Sequence, residues 1–305
     1  MADLGIVRDL QLVLFSLMLV GWLLGKLKLV EAPGRKTLTD LLINVILPAN
    51  IIQSFKMEMN RAILVSVALI LLSALGVQLL SYLLSRCLYR RVEPGRRSVL
   101  RYATICSNAG FMGNPVVEGI YGADGLMYGS IYLIPLRFFM WTAGLACFTE
   151  TSLRKSFKKL LVHPCILAVW AGFGLMASQL QLPGFADKTL SALSACTLPV
   201  SILIIGTILS EVDIRSVLSG TTLYFCFVRL ILIPGLVLVL SKLLGFGSLV
   251  TGVSVILSGM PAGSTTAILA EKYGGDSVYA SKCVFLSTAL SLITIPLLCY
   301  AVTFV

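Results

Sequence analysis

Residues 106–115 read Cys-Ser-Asn-Ala-Gly-Phe-Met-Gly-Asn-Pro, in the middle of a long apolar segment. In a helix interior, glycine costs about 1 kcal/mol and proline about 3 kcal/mol relative to alanine, and proline also removes a backbone donor. Residues 258–266 read Ser-Gly-Met-Pro-Ala-Gly-Ser-Thr-Thr and interrupt a second apolar segment in the same way. The two stretches therefore predict two apolar helices that are each broken near the middle.

The two interruptions belong to a repeat that extends over the whole chain. The sequence Tyr-Gly-Ala-Asp at 121–124 recurs as Tyr-Gly-Gly-Asp at 273–276, and Leu47-Pro48 recurs as Leu198-Pro199. Both offsets are close to half of the 305 residues. We predict two related halves, residues 1–152 and 153–305. We interpret the repeated Tyr-Gly motif and its aspartate as a turn followed by an N-cap for the next helix.

Composition predicts an integral membrane protein. The sequence is 57% hydrophobic and 12% charged, whereas soluble domains carry about 25% charged residues. Apolar stretches of roughly 20 residues, the length that crosses a bilayer core, recur along the chain. The net charge of +10 does not indicate a nucleic-acid partner, because the basic residues fall in short loops between these stretches.

The apolar stretches predict ten spans. Five precede the midpoint and five follow it, and an odd number per half makes the second half insert upside-down. The predicted fold class is an all-α integral membrane protein, with ten transmembrane helices as two inverted five-helix repeats and crossed broken helices 4 and 9. The predicted spans lie at about residues 9–29, 38–55, 62–87, 98–118, 125–148, 161–181, 187–210, 219–241, 248–270 and 279–303.

The distribution of lysine and arginine predicts the orientation. The loops after odd-numbered spans contain Lys26, Lys28, Arg35, Lys36, Arg86, Arg90, Arg91, Arg96, Arg97, Arg101, Arg154, Lys155, Lys158, Lys159, Arg215 and Lys272. The other side has only Arg8, Lys56, Arg61, Lys188 and Lys242. The positive-inside rule places the larger set in the cytoplasm, so both termini are expected on the extracytoplasmic side of the cell membrane.

Motifs of enzymes and metal sites are missing from the sequence. No two of the eight cysteines form a CxxC pair, and His163 is the single histidine. The HExxH, GxSxG and P-loop patterns do not occur. We therefore expect no catalytic residues, no metal site and no cofactor, and we do not expect an enzyme.

The broken helices predict a binding site. They leave backbone N–H and C=O groups that must face protein or a water-filled cavity, because lipid cannot satisfy them. Half-helix N-termini carry partial positive charge, which suits an anionic substrate, although small residues can also serve close packing. We predict substrate contacts from Asn108, Gly110, Gly113, Asn114, Pro115, Pro261, Gly263, Ser264 and Thr265.

Polar residues elsewhere in the spans add candidates. The guanidinium of Arg137 could hold a substrate carboxylate or pair with an acid such as Glu118. Glu118 itself could carry a coupling proton or cap the outer mouth, and Asn50 could line the substrate path. Arg229 could be functional or structural, and Lys282 could extend to the interface.

At these residues the chain resembles the auxin efflux carrier family. The resemblance rests on the residues at 108–115, on Leu-Pro-Ala-Asn at 47–50, and on Met-Pro-Ala-Gly-Ser at 260–264 leading to the Gly-Gly-Asp at 274–276. It covers the full length of the chain. The resemblance implies a ten-helix fold related to the bile acid/sodium symporters, with a scaffold from helices 1, 2, 6 and 7 and a transport core from helices 3–5 and 8–10.

The resemblance also implies a substrate class. Plant members of the family move indole-3-acetate outward, and bacterial members are associated with malonate and other carboxylates. The central asparagine of the family corresponds to Asn108 or Asn114, and its two crossover prolines correspond to Pro115 and Pro261. The long cytoplasmic loop of some plant members is absent here, so regulation through that loop cannot be carried over.

These observations lead to a functional hypothesis. We expect a secondary active transporter of small organic anions, either malonate-like carboxylates or auxin-like acids, which works by alternating access. The alternative is an anion channel, or a uniporter driven by the membrane potential only. The expected partners are a small carboxylate substrate, a proton or sodium as coupling ion, the lipid bilayer and a second copy of the chain in a homodimer.

Overall fold

The structure is a computed structural model that describes residues 4–56, 61–148, 164–180, 182–210, 217–263 and 265–302. Several residues singled out above lie outside these ranges. They are Ser264, His163, Arg154, Lys155, Lys158, Lys159 and Arg215.

The described part of the chain is helical almost throughout. Its α-helices are α1 (Leu4–Lys26), α2 (Ala32–Leu41), α3 (Leu47–Ser54), α4 (Arg61–Leu88), α5 (Pro94–Ile105), α6 (Asn114–Phe139), α7 (Pro164–Ser178), α8 (Gly184–Ala195), α9 (Thr197–Leu209), α10 (Gly220–Phe227), α11 (Ile233–Leu243), α12 (Ser248–Ser258), α13 (Thr265–Lys272) and α14 (Ser277–Val302). Helix α2 begins at Ala32 rather than near residue 38 as predicted, because Pro33 stands in its first turn, where proline favours a helix start.

Helices of membrane-spanning length confirm a multi-pass membrane protein. In the described part, five helical stretches are long and apolar enough to cross a bilayer: Ile63–Leu88, Ala109–Cys147, Gly184–Ile208, Gly220–Leu243 and Ser277–Val302. Shorter apolar helices cover Phe15–Lys26, Pro164–Ser178 and Ser248–Ser258.

Three π-helical turns precede prolines. The turns are Leu42–Ile46, Ala109–Gly113 and Val228–Leu232, and each ends two residues before a proline. Proline lacks an N–H and its ring clashes with the carbonyl four residues earlier. A π-turn widens the helix at that point and lets the chain continue past the proline.

Both predicted interruptions occur, and the first lies at the N-terminal end of the predicted stretch. Helix α5 ends at Ile105, before the glycines and the proline, and Cys106 adopts an extended conformation. The π-turn at Ala109–Gly113 then leads directly into α6. In the second interruption, α12 ends at Ser258 and α13 begins at Thr265.

The repeated Tyr-Gly motif forms a turn in both halves, and in the first half this turn divides α6 into two helices, because Gly122 has non-helical φ and ψ (64°, −149°). Gly122 has φ 64° and Gly274 has φ 75°, values that glycine adopts without the steric cost of a side chain. Asp276 then accepts a hydrogen bond from the backbone N–H of Tyr279 at 2.8 Å, which confirms its predicted role as the N-cap of α14. The motif is therefore architectural.

Helices α1 and α9 pack with their backbones in close contact. Gly21 and Gly206 face each other across this contact, and a Cβ at Gly206 would stand 2.8 Å from the backbone nitrogen of Trp22 and overlap the carbonyl of Met18. Gly25 lies one turn further, against Ser210. Small residues of this kind allow membrane helices to approach closely and gain dispersion energy.

Replacing Gly206 with alanine should therefore destabilise the fold. The added methyl group would push α1 from α9, and overpacking of this type costs about 1–3 kcal/mol. Thermal unfolding of the purified protein should show a lower midpoint. The matched control is Gly174→Ala in α7, where a Cβ meets no atom within 4 Å. An unchanged midpoint for Gly206→Ala would contradict the close contact.

Candidate functional site

The two interrupted segments meet and pair through their backbones. Ser107 and Ala262 form an isolated antiparallel bridge. The N–H of Asn108 donates to the carbonyl of Pro261 at 2.7 Å, and the N–H of Gly263 donates to the carbonyl of Cys106 at 3.1 Å. Backbone groups that the helix breaks expose are thus satisfied by the opposite half of the chain, as burial in a membrane requires. We call this pairing the crossover.

Arg229 links the two segments of the crossover through hydrogen bonds. Its side chain is only 2% exposed. Nε donates to the carbonyl of Met260 at 3.0 Å, and Nη1 donates to the carbonyl of Thr104 at 3.2 Å. These contacts give Arg229 a structural role, because one guanidinium joins the two halves.

A cavity of about 190 Å³ lies beside the crossover, and we call it the inner cavity. Five of the predicted site residues line it, namely Asn108, Gly110, Arg137, Gly263 and Thr265. Its other lining residues are Ile43, Leu47, Ser107, Phe111, Leu133, Leu136 and Met140. The cavity combines an apolar wall with a few convergent polar groups, as small-molecule sites do.

The polar groups of the inner cavity suit an anion. Arg137 reaches from α6 toward Gly110, where Nη2 lies 3.6 Å from the position that a Cβ would take. Glycine at this position therefore leaves room beside the guanidinium. The hydroxyl of Ser107 is buried and has no hydrogen-bond partner among the described residues, so it can donate to a ligand. Thr265 is held by the hydroxyl of Tyr102 at 3.1 Å.

A larger cavity of about 640 Å³, which we call the vestibule, adjoins the inner cavity. Ile43, Asn108 and Phe111 line both cavities. The remaining lining residues come from α2 (Ala32, Arg35, Lys36, Thr39, Asp40), from α9 (Ser201, Ile204, Ile205, Ile208) and from α14 (Val284, Phe285, Thr288). Asn108 therefore lies at the boundary between the two cavities.

Four other predicted site residues shape the crossover without lining these cavities. Gly113 packs against Leu257, where a Cβ would collide. Asn114 is 1% exposed and its amide faces Gly129, with no hydrogen-bond partner among the described residues. Pro261 contributes its carbonyl to the bridge, and Pro115 lies buried in the first turn of α6.

Asn50 and Glu118 form a separate polar cluster. The Nδ2 of Asn50 donates to Oε2 of Glu118 at 3.1 Å, and Ser194 donates to the Oδ1 of Asn50. The cluster joins α3, α6 and α8. Neither Asn50 nor Glu118 is among the residues that line the two cavities.

Sequence reasoning missed several lining residues. Ser201 in α9 and Thr288 in α14 are hydroxyl residues in apolar helices, and both line the vestibule. Their polarity was a weak signal, because such hydroxyls usually bond to their own helix. Thr288 indeed donates to the carbonyl of Val284 at 2.7 Å. Arg35 and Lys36 were interpreted only as topology signals, although they also stand in the vestibule wall.

Known proteins resemble the chain over nearly its full length. An uncharacterized transporter of Methanothermobacter thermautotrophicus is 28% identical over 289 residues, which cover 92% of this chain and 93% of the relative. An uncharacterized transporter of Methanocaldococcus jannaschii is 24% identical over 301 residues, with coverage of 95% and 96%. A family described as "Membrane transport protein" matches residues 7–152 and 147–299. The chain therefore belongs to this auxin efflux carrier-like family of membrane transport proteins, which confirms the resemblance of its motifs.

Proposed function

We propose that the protein is a secondary active transporter of small organic anions, namely malonate-like carboxylates or auxin-like acids. The observation that carries the proposal is the inner cavity, where Arg137 and the crossover face the same small volume. Arg137 is partly buried, and a guanidinium can bind a carboxylate through two parallel hydrogen bonds. The half-helix N-termini at the crossover add partial positive charge. Ser264 would belong to this site by its position in the sequence.

The proposal includes the ten-span architecture with two inverted repeats, residues 1–152 and 153–305. The scaffold would consist of α1, α2–α3, α7 and α8–α9, and the transport core of α4–α6 and α10–α14. Packing supports this division, because α1 packs most extensively on α9, and α3 packs on α7 and α8. The family also matches in two segments that divide close to residue 150.

The position of the vestibule supports alternating access as the proposed mechanism. Its walls come from the proposed scaffold on one side, through α2 and α9, and from the proposed core on the other, through Asn108 and α14. A movement of the core along the scaffold would close the vestibule and expose the inner cavity on the opposite face. The positive-inside rule makes the vestibule cytoplasmic, with both termini extracytoplasmic.

The coupling ion and the oligomer remain part of the proposal. Glu118 is the candidate carrier of a coupling proton, because Asn50 links it to the scaffold across the moving boundary. Sodium coupling and transport driven by the membrane potential alone are the other modes. A homodimer in the cell membrane is the expected assembly.

Counterflow in proteoliposomes tests the proposal. Vesicles loaded with unlabelled malonate or indole-3-acetate should accumulate the labelled compound transiently against its own gradient. A channel passes substrate without such exchange, so flux that does not saturate and shows no counterflow would favour the anion-channel alternative. Failure of every tested carboxylate to bind or move would contradict the proposed substrate class.

A further inference from the structure

The crossover brings two helix C-termini close together. Helix α5 ends at Ile105, and the carbonyl of Thr104 lies in its last turn. Helix α12 ends at Ser258, and the carbonyl of Met260 lies in the unwound stretch two residues beyond it. The C-terminal end of a helix carries a partial charge of about −0.5. Two such ends next to an anion site would repel the substrate unless a positive charge balanced them.

Arg229 supplies that charge. It lies in the π-turn Val228–Leu232 and is almost fully buried. Among the described residues, it donates to the carbonyls of Thr104 and Met260 and not to a carboxylate. One guanidinium therefore balances partial negative charge at the end of α5 and at the unwound carbonyl beyond α12.

In transporters with broken helices, unwound carbonyls and half-helix C-terminal ends commonly coordinate a coupling cation. We propose that Arg229 is a built-in counter-cation that occupies this place in the crossover, and that its charge sets the affinity of the inner cavity for an anion. Arg229 is thus a positioning residue with an electrostatic role. Where it is measured through the KM for a carboxylate, the inference rests on the proposed function.

Charge and shape at position 229 can be separated by two substitutions. Arg229→Lys keeps the charge, and Arg229→Gln keeps hydrogen-bonding capacity but is neutral. We expect Arg229→Gln to raise the KM for the carboxylate at least tenfold, which corresponds to about 1.4 kcal/mol. Arg229→Lys should stay within about threefold of the wild type. Arg86→Gln, an exposed arginine at the end of α4, is the matched control and should leave KM unchanged.

The outcomes distinguish electrostatics from packing. Equal rises in KM for Arg229→Lys and Arg229→Gln, or a loss of maximal rate alone in both, would assign Arg229 a purely structural role and overturn the inference. If the wild type transports none of the tested carboxylates, the proposed function fails. The inference can then still be tested by thermal unfolding.

That test needs no substrate. Arg229→Gly leaves the two carbonyls without their donor, so the purified variant should unfold at a lower temperature than the wild type. Guanidinium chloride at low millimolar concentration should recover part of this loss, whereas N-methylglucamine chloride at the same ionic strength should not. Equal midpoints in the two salts would show that no cation binds between the helix ends and would overturn the inference.

Discussion

Replacing Arg137 with glutamine should almost abolish carboxylate transport. The guanidinium lines the inner cavity next to the space that Gly110 leaves open. Removing one member of a buried charge pair typically costs about 2–5 kcal/mol. The ratio kcat/KM measured in proteoliposomes should therefore fall at least about thirtyfold, mainly through a rise in KM. Arg137→Lys should give an intermediate value, because an ammonium keeps the charge but loses the bidentate geometry.

Two controls separate a loss of substrate binding from changes in net charge and from unfolding. Lys242→Gln removes a basic residue at the exposed end of α11 and should leave transport unchanged, which controls for net charge. Thermal unfolding should remain cooperative in Arg137→Gln, although the guanidinium also interacts with Cys165 in α7. A folded Arg137→Gln variant with wild-type KM would show that the anion binds elsewhere.

Asn108→Ala should have the second-largest effect. Asn108 lines both the inner cavity and the vestibule, so its amide can contact the substrate during entry and binding. A hydrogen bond to a charged group contributes about 1.5–3 kcal/mol. We therefore expect kcat/KM to fall roughly ten- to hundredfold. The crossover should persist, because the bridge uses the backbone N–H of Asn108 and not its side chain.

The matched control for Asn108 is Asn44→Ala. Asn44 is exposed and its amide bonds only to the carbonyl of Asp40 at 2.8 Å among the described contacts. Asn114→Ala gives a second comparison, because its amide faces Gly129 and not the cavities. A larger loss of substrate affinity in Asn114→Ala than in Asn108→Ala would mean that the substrate lies on the other side of the crossover.

Sequence alone located the crossover to within a few residues. The glycines and prolines at 106–115 and 258–266 predicted two interrupted helices, and both interruptions occur. The first lies at the N-terminal end of its stretch, because a π-turn accommodates Pro115 and the chain leaves helical geometry at Cys106. Helix propensities show that a segment is a poor helix former. The residue at which the helix ends depends on tertiary contacts, here the backbone bridge between Ser107 and Ala262.

Side-chain direction was harder to predict than position. The sequence could not separate Asn108 from Asn114, since both lie in the same interrupted stretch. The π-turn between them directs one amide to the cavities and the other toward Gly129. Arg229 had a similar ambiguity, because its partners are backbone carbonyls, which leave no trace in the residue types of a sequence.

The π-turn at Leu42–Ile46 sets the rotational phase of the helix that follows it. Each extra residue in a helix rotates the next segment by roughly 100° relative to an uninterrupted α-helix. The side of α2 that forms the vestibule wall is therefore out of register with the side on which α3 presents Asn50 to Glu118. Deleting one residue from this turn would keep the helix length nearly constant but swing Asn50 away from its carboxylate. The extra residue of the π-turn thus allows α2 to line the vestibule while α3 directs Asn50 to Glu118.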